Sequence, residues 1–271
     1  MNFKLAIIGV GMMGEAILKG VIEAGVVRAD QIAIYDVNQE KMGKVIKETG
    51  VNGVESISEA AKNSEAVLLA VKPQYLDPVL NDFGKELPDS SLILSIVAGI
   101  PIETISRKLN HNKVIRIMPN TPAAIREGFC GWYATSEVLP DQREFARDLL
   151  NAIGTATEVP SESMLNVITA VSGSGPAYVY LFIEAMIDAA VRLGMPRTEA
   201  TGCVLQTVKG AAIYLESRDC HPVQLRNEVT SPGGTTAAAL DVMESAGLRS
   251  AVSDGMQACY DKAIELGKLI R

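Results

Sequence analysis

The chain has 271 residues, 48% of them hydrophobic, and a formal net charge of −7, enough apolar material for a sizeable core in one large or two smaller domains. The acidic balance, the lack of any Lys/Arg block and a supply of only five Phe and one Trp exclude a nucleic-acid partner. No apolar run approaches the ~20 residues that span a bilayer, and Met1-Asn2-Phe3-Lys4 leads straight into a strand-like segment rather than a signal peptide, so a cytoplasmic protein with no membrane partner is expected.

Phe3 to Ile8 is a short apolar run that stops at Gly9, and Glu15 to Glu23 then carries helical spacing through Ile17, Leu18, Val21 and Ile22. The alternation continues with a strand over Gln31 to Tyr35, a helix over Gln39 to Glu48 and continuous apolar strands at Ala66 to Val71 and Leu92 to Val97. Strand-like pieces at Val114 to Met118 and Gly131 to Ala134 extend the same sheet. Continuous apolar strands alternating with helices predict an α/β, Rossmann-type parallel sheet covered on both faces, over residues 1–160. Residues 161–271 read as all helical. In the stretch Ala177 to Leu193 the only charges, Glu184, Asp188 and Arg192, lie four apart and fall on one stripe. A helix apolar around the rest of its circumference must be surrounded by protein, which predicts a subunit interface; a central helix inside one monomer is the alternative. Cys130, Cys203, Cys220 and Cys259 are widely spaced, with only His111 and His221 beside them, which argues against zinc or any other metal and against a disulfide framework. Buried thiols are expected.

Gly9-Val10-Gly11-Met12-Met13-Gly14 matches G-x-G-x-x-G directly after a strand and at the opening of a helix, the context a dinucleotide site requires. Gly9 makes the tight turn, Gly11 lets a pyrophosphate approach the backbone, and Gly14 lets helix and strand pack closely, with Met12 and Met13 at the helix start. Asp36 ends the second strand, where a carboxylate accepts from the adenosine ribose 2′-OH, which points to NADH. Asn38, Lys41 and Lys44 lie close behind and are placed to accommodate the 2′-phosphate of NADPH instead. Ala70-Val71-Lys72-Pro73 and Met118-Pro119-Asn120-Thr121-Pro122 each follow a strand at the carboxyl edge where open α/β sheets bind ligands, so Ala70, Val71, Lys72, Pro73 and Asn120 join the cofactor set.

Val229 to Leu240 packs hydroxyls, two glycines and a helix start near Thr235 into one turn. Gly233 and Gly234 allow close backbone approach, and the first helical N–H groups have no intrahelical partner, so the turn suits an anion such as a carboxylate. An ordinary N-cap is the competing explanation. Ser172-Gly173-Ser174-Gly175-Pro176 opens the apolar helix and either lines a pocket or caps that helix. Histidine titrates near neutrality, which makes His221 a candidate general acid, but it precedes Pro222 at the end of a helix, where a structural or solvent-exposed role is expected.

Together these segments resemble the pyrroline-5-carboxylate reductase family across the whole chain. The resemblance rests on Gly9 to Gly14, Ala70 to Pro73, Met118 to Pro122, Ser172 to Tyr178 and above all His221-Pro222 through Leu240. It implies an N-terminal Rossmann domain, an all-helical C-terminal domain that forms a homodimer, and in some members a larger ring of dimers. It also implies NADP(H) as the usual cofactor, with NAD(H) accepted by some members. Asp36 is a departure, because the family often has a small hydroxyl residue there, and it favours NAD(H). The implied substrate is 1-pyrroline-5-carboxylate, whose cyclic imine is reduced to L-proline. Its carboxylate is assigned to the backbone N–H groups of Gly233, Gly234 and Thr235 with the Ser231 hydroxyl, and the resemblance places the catalytic Thr236 hydroxyl beside the ring nitrogen. Other reductases of this two-domain plan, such as 3-hydroxyacid dehydrogenases, usually place an acidic lysine on the helical domain; Lys209, Lys262 and Lys268 stand in no glycine-rich motif suited to that. A non-catalytic sensor of the NAD(P)H/NAD(P) ratio would need no carboxylate cradle.

Overall fold

The computed structural model describes residues 2–83 and 87–269. Its first half alternates β1 (Phe3–Ile8), α1 (Met12–Glu23), β2 (Ile32–Tyr35), α2 (Gln39–Thr49), β3 (Asn52–Gly53), α3 (Ile57–Lys62), β4 (Ser64–Leu69), α4 (Leu76–Asp82), β5 (Leu92–Ser95), α5 (Ile102–Leu109) and β6 (Val114–Met118). Next come β7 (Gly128–Ala134), α6 (Pro140–Asn151), β8 (Gly154–Glu158) and α7 (Met164–Ile168), then a π-helical turn at Thr169–Gly173. Helices α8 (Gly175–Arg192), α9 (Arg197–Glu216), α10 (Pro222–Glu228), α11 (Thr235–Ser245) and α12 (Leu248–Leu269) complete the chain.

The eight strands form one sheet in the order β3-β2-β1-β4-β5-β6-β7-β8. Alternate residues of β1 feed opposite faces: Leu5 and Ile7 join Ile17, Leu18 and Val21 of α1, whereas Ala6 and Ile8 join Ile57 of α3 and Val79 and Leu80 of α4. Both faces are therefore buried, which is why these strands read as unbroken apolar runs. The expected all-parallel extension fails at one pair, since β6 and β7 run antiparallel while every other pair is parallel. The connection 119–127 is too short for the crossover of about a dozen residues or more that a parallel return needs. Helix α6 supplies such a crossover between β7 and β8, which pair in parallel.

Contacts divide the chain into one unit of 1–174 with 259–271 and a second unit of 175–258. The second unit is thinly cored: among its described residues only Ala200 and Val204 of α9 are buried hydrophobics, and none of α8 is buried. Val179, Tyr180, Leu181 and Phe182 are 44–67% exposed. Of the four cysteines only Cys130 is buried, with burial pushing its thiol up to about 12; Cys203 is exposed and Cys220 and Cys259 are half-buried, so the expectation of four buried thiols is corrected. Their helices α9 and α12 and the link before α10 belong largely to the thinly cored part of the chain.

His111, just past α5, is buried with its Nε2 2.7 Å from the Ser91 carbonyl, an acceptor that requires the Nε2–H tautomer. Burial lowers its pKa, and the Ser91 hydrogen bond only partly offsets this. The unfolded chain thus binds the proton first as pH falls, so His111 contributes full stability above the ordinary histidine pKa and loses it below. We expect Tm to fall from pH 7.5 to 5.5 with a shallower slope in His111→Gln; parallel slopes in thermal unfolding at matched ionic strength would refute this assignment.

Candidate active site

The loop after β1 brings three glycines to one place for two different reasons. Gly9 has φ +96°, and a Cβ there would sit 2.7 Å from the Ala70 carbonyl oxygen; a Cβ on Gly14 would sit 2.1 Å from the Gly9 oxygen. These two positions are closed to side chains by the backbone of β1 and the segment after β4. A Cβ on Gly11, by contrast, would meet nothing within 4 Å, so this glycine faces open space. Gly11 is the N-cap of α1 and offers no side-chain cap, leaving the first helical N–H groups and the positive end of the helix dipole directed at whatever occupies that space. Such an open helix start suits an anionic group, and it lies at the carboxyl edge where parallel sheets bind nucleotides.

A cleft of about 290 Å³ begins there, lined by Gly9, Gly11, Asp36, Ala70, Val71 and Lys72. It continues into an apolar end formed by Val37, Ile57, Tyr75 and Val79. Sequence reasoning missed this end, although an exposed-type valine directly after Asp36 and a tyrosine directly after Lys72-Pro73-Gln74 were available signals. Lys72 is exposed at the start of a short turn that Pro73 opens. Met12 is 85% exposed, while Met13 packs partly against the core, so only the first of this pair points away from the protein. Neither methionine, nor Asn38, Pro73 or Asn120, lines the cleft.

Several polar residues assigned to the cofactor are engaged within the protein. Asp36 Oδ2 accepts from the Val10 N–H at 2.8 Å and Oδ1 from the Asn38 N–H at 2.9 Å, so this carboxylate ties the glycine loop to the end of β2 while keeping further lone pairs for a ligand. Asn38 caps α2, its Oδ1 accepting from the Lys41 N–H at 2.9 Å. The Lys41 and Lys44 ammonium groups lie 3.9 Å from Glu15 and 3.8 Å from Glu48. Lys19 bridges the same two carboxylates at 2.7 and 3.2 Å, and its hydrogen bond holds Glu15 below the usual carboxylate range. Asn120 accepts from the Phe129 N–H at 2.9 Å and donates to Ser172 Oγ at 3.0 Å.

In the second unit, α10 ends at Glu228 with Val229 as its C-cap, and α11 starts at Thr235, with Gly234 as its N-cap and no side-chain cap. Gly233 has φ +69°, a conformation that favours glycine. The Gly234 N–H already donates to the Ser231 carbonyl at 3.0 Å, and a Cβ on Gly234 would meet Ser231 Oγ at 2.5 Å. Thr230 is turned inward, its hydroxyl donating to the Arg226 carbonyl at 2.6 Å. Among the described residues, the N–H groups of Thr235, Thr236 and Ala237 have no backbone acceptor. The exposed His221 stands at the start of α10 rather than the end of a helix, and its Nδ1 accepts from the Val223 N–H at 3.3 Å as a cap.

A doubly covered parallel sheet with an open glycine cradle, followed by a helical unit, defines a dinucleotide-binding oxidoreductase of the Rossmann class. Residues 162–266 match the family model for pyrroline-5-carboxylate reductase dimerisation, and residues 4–99 match that for NADP oxidoreductase, coenzyme F420-dependent. A pyrroline-5-carboxylate reductase of Synechocystis is 41% identical over 99% of this chain and 100% of its own length. The solved structure of a pyrroline-5-carboxylate reductase from Coxiella burnetii superposes with a TM-score of 0.91 at 34% identity, covering 98% of this chain and 99% of that one. The Plasmodium falciparum enzyme, solved with NADP bound, gives 0.88 at 32% identity over 98% of both chains. The chain belongs to the pyrroline-5-carboxylate reductase family.

The two kinds of glycine separate in a simple experiment. Gly11→Ala should leave Tm within about 1 °C, because its Cβ meets nothing, yet weaken NADH binding at least about tenfold by filling the space the pyrophosphate needs. Gly14→Ala should lower Tm by several degrees, on the order of 1–3 kcal/mol for overpacking. Equal effects of the two substitutions on Tm and on cofactor titration would refute the distinction.

Proposed function

We propose that this chain reduces 1-pyrroline-5-carboxylate to L-proline with a reduced nicotinamide dinucleotide, residues 1–160 serving the cofactor and 161–271 the substrate and dimerisation. The observation that carries this reading is the open helix terminus at Thr235 in a member of this family that also has an open glycine cradle. When bound, the reduced cofactor supplies hydride from nicotinamide C4 to the imine carbon. Gly9, Gly11, Asp36, Ala70, Val71 and Lys72 would hold it, with the Gly11 backbone and the start of α1 on the pyrophosphate and Gly14 letting α1 pack close enough to reach it.

The substrate carboxylate is held by the start of α11. Because the Gly234 N–H is engaged with Ser231, the donors we assign are the N–H groups of Thr235, Thr236 and Ala237, with Gly233 shaping the turn and the Ser231 hydroxyl at its rim. Thr236, second residue of the helix and half-buried, orients the ring nitrogen through its hydroxyl. An imine accepts hydride readily only when protonated, and a threonine hydroxyl is too weak an acid to protonate it alone. Thr236 therefore orients the ring and relays a proton from water, which ends on the amine as the C=N bond becomes CH–NH.

NADH is the better-fitting reductant. The Asp36 carboxylate at the end of β2 suits ribose hydroxyls and repels a 2′-phosphate, and the nearby Lys41 and Lys44 already face Glu15 and Glu48. The homodimer is supported by the dimerisation-family match and by α8, where covering side chains such as Leu181 and Phe182 would yield about 1.5–3 kcal/mol each if fully buried.

Mixing the protein with 1-pyrroline-5-carboxylate and either cofactor should oxidise NADH faster than NADPH, followed at the absorbance of the reduced nicotinamide; no oxidation of either would overturn the activity. Asp36→Ser should raise the NADPH/NADH ratio of kcat/KM, and an unchanged ratio would remove Asp36 from cofactor choice. Thr236→Ala should lower kcat at least about tenfold with Tm preserved; wild-type kcat and kcat/KM in that variant would exclude Thr236 from the mechanism.

A further inference from the structure

We propose that Asn120, together with Ser172, is a positioning residue that fixes the wall of the nicotinamide half of the cofactor site without touching the ligand itself. This rests on the function proposed above. Strands β1, β4, β5 and β6 are parallel neighbours, so their carboxyl ends lie along one edge. The cleft occupies the ends of β1, β2 and β4, with Asp36 at its β2 side. A dinucleotide whose ribose meets a carboxylate at the end of β2 extends its other half toward β5 and β6. The segment Met118-Pro119-Asn120-Thr121 is the carboxyl end of β6 and so borders that half.

This segment is held from two sides. Asn120 Oδ1 accepts from the Phe129 N–H of β7 at 2.9 Å, and its Nδ2 donates to Ser172 Oγ in the π-helical turn at 3.0 Å. Beside it Gly173 lies against Met118, where a Cβ on the glycine would be 2.3 Å from the methionine methyl. Two residues further along, Ser174 Oγ accepts from the Cys259 thiol at 3.2 Å. Deeper in the strand, Arg116 is buried and its Nη1 lies 2.8 Å from Glu162 Oε1, which also accepts from the Ile102 N–H at 2.9 Å. Arg116 and Glu162 anchor the middle of β6, which leaves Asn120 and the π-helical turn to set where its end lies. π-helical turns inserted in helices recur at functional sites, and here the insertion brings the Ser172 hydroxyl to the Asn120 amide.

The test compares Asn120→Ala, Ser172→Ala, the double variant and Asn120→Asp with the wild type, measuring Tm, dissociation constants for ADP-ribose and for NADH, kcat, and the isotope effect with 4-deuterated NADH. ADP-ribose affinity should stay within about twofold, while NADH loses affinity and kcat falls about tenfold or more from misplaced reacting atoms. The isotope effect should rise, and the double variant should be no worse than Asn120→Ala because Ser172 acts only through its hydrogen bond with Asn120. Asn120→Asp should recover most of the loss, since a carboxylate accepts from both the Phe129 N–H and the Ser172 hydroxyl. A folded Asn120→Ala with wild-type NADH affinity and kcat, or with parallel losses for ADP-ribose and NADH, would overturn the inference; should Asn120→Ala fail to fold, the same outcomes are read from Ser172→Ala. A wild type that binds NADH but does not oxidise it with 1-pyrroline-5-carboxylate would overturn the proposed reaction instead, and the two binding constants would still decide the role of Asn120.

Discussion

The nucleotide half of this molecule depends on one steric fact: α1 starts so close to the end of β1 that Gly14 leaves no room for a Cβ beside the Gly9 oxygen. Only that approach brings the open N–H groups of the helix start to the carboxyl edge of the sheet. The positive φ of Gly9 makes the turn possible, and the Gly9 N–H is held by the Tyr35 carbonyl at 2.8 Å. Asp36 then fixes the next residue through the Val10 N–H. The loop is therefore pinned to β2 at two successive residues before any ligand arrives, which reduces the ordering that binding must impose.

Whether a polar group is already engaged separates residues that face a ligand from residues that hold the site. Asn38 and Asn120 use their amides on backbone N–H groups and on Ser172, and His221 caps α10. Gly234 directs its N–H to Ser231. Among the described residues assigned to ligands, the start of α1, the exposed Lys72 and the first N–H groups of α11 remain open. Helix starts that lack side-chain caps, as those of α1 and α11 each do, suit anionic groups.

Much of the fold was legible because burial on both faces leaves a plain trace: β1, β4, β5 and β6 are apolar at nearly every position. What escaped was set by context. Gly154 to Glu158 contains two threonines, an alanine and a glutamate and becomes β8 only by pairing with β7 at the sheet edge. Asn52-Gly53 is a two-residue strand beside β2 with no apolar signal at all. Helical spacing becomes visible only at Glu15, whereas α1 starts at Met12, because the glycine motif itself, weak in helix propensity, forms the first turn. The strand expected at Ala66 to Val71 begins and ends two residues earlier, since apolarity continues into the ligand loop. At the candidate site the glycines and Asp36 could be read from their motif, but whether an asparagine faces a ligand or a neighbouring N–H depends on a loop geometry that no spacing rule encodes.

That geometry also makes the Asp36 carboxylate part of what orders the glycine loop. A carboxylate accepts two backbone N–H groups on separate oxygens, as Asp36 does with Val10 and Asn38; a serine hydroxyl in the same place could serve only one of them well. A 2′-phosphate would bring about two negative charges next to this carboxylate, with the nearby lysines drawn toward Glu15 and Glu48. Exposed pairs of this kind are worth only about 0–1 kcal/mol, so Lys41 and Lys44 could be recruited at small cost. The carboxylate is the harder obstacle, because removing it would also loosen the glycine loop that it holds through Val10. In the proposed preference for NADH, Asp36 would act through the same hydrogen bonds that hold the loop, and a change toward NADPH would have to replace the hold on Val10 as well as remove the charge.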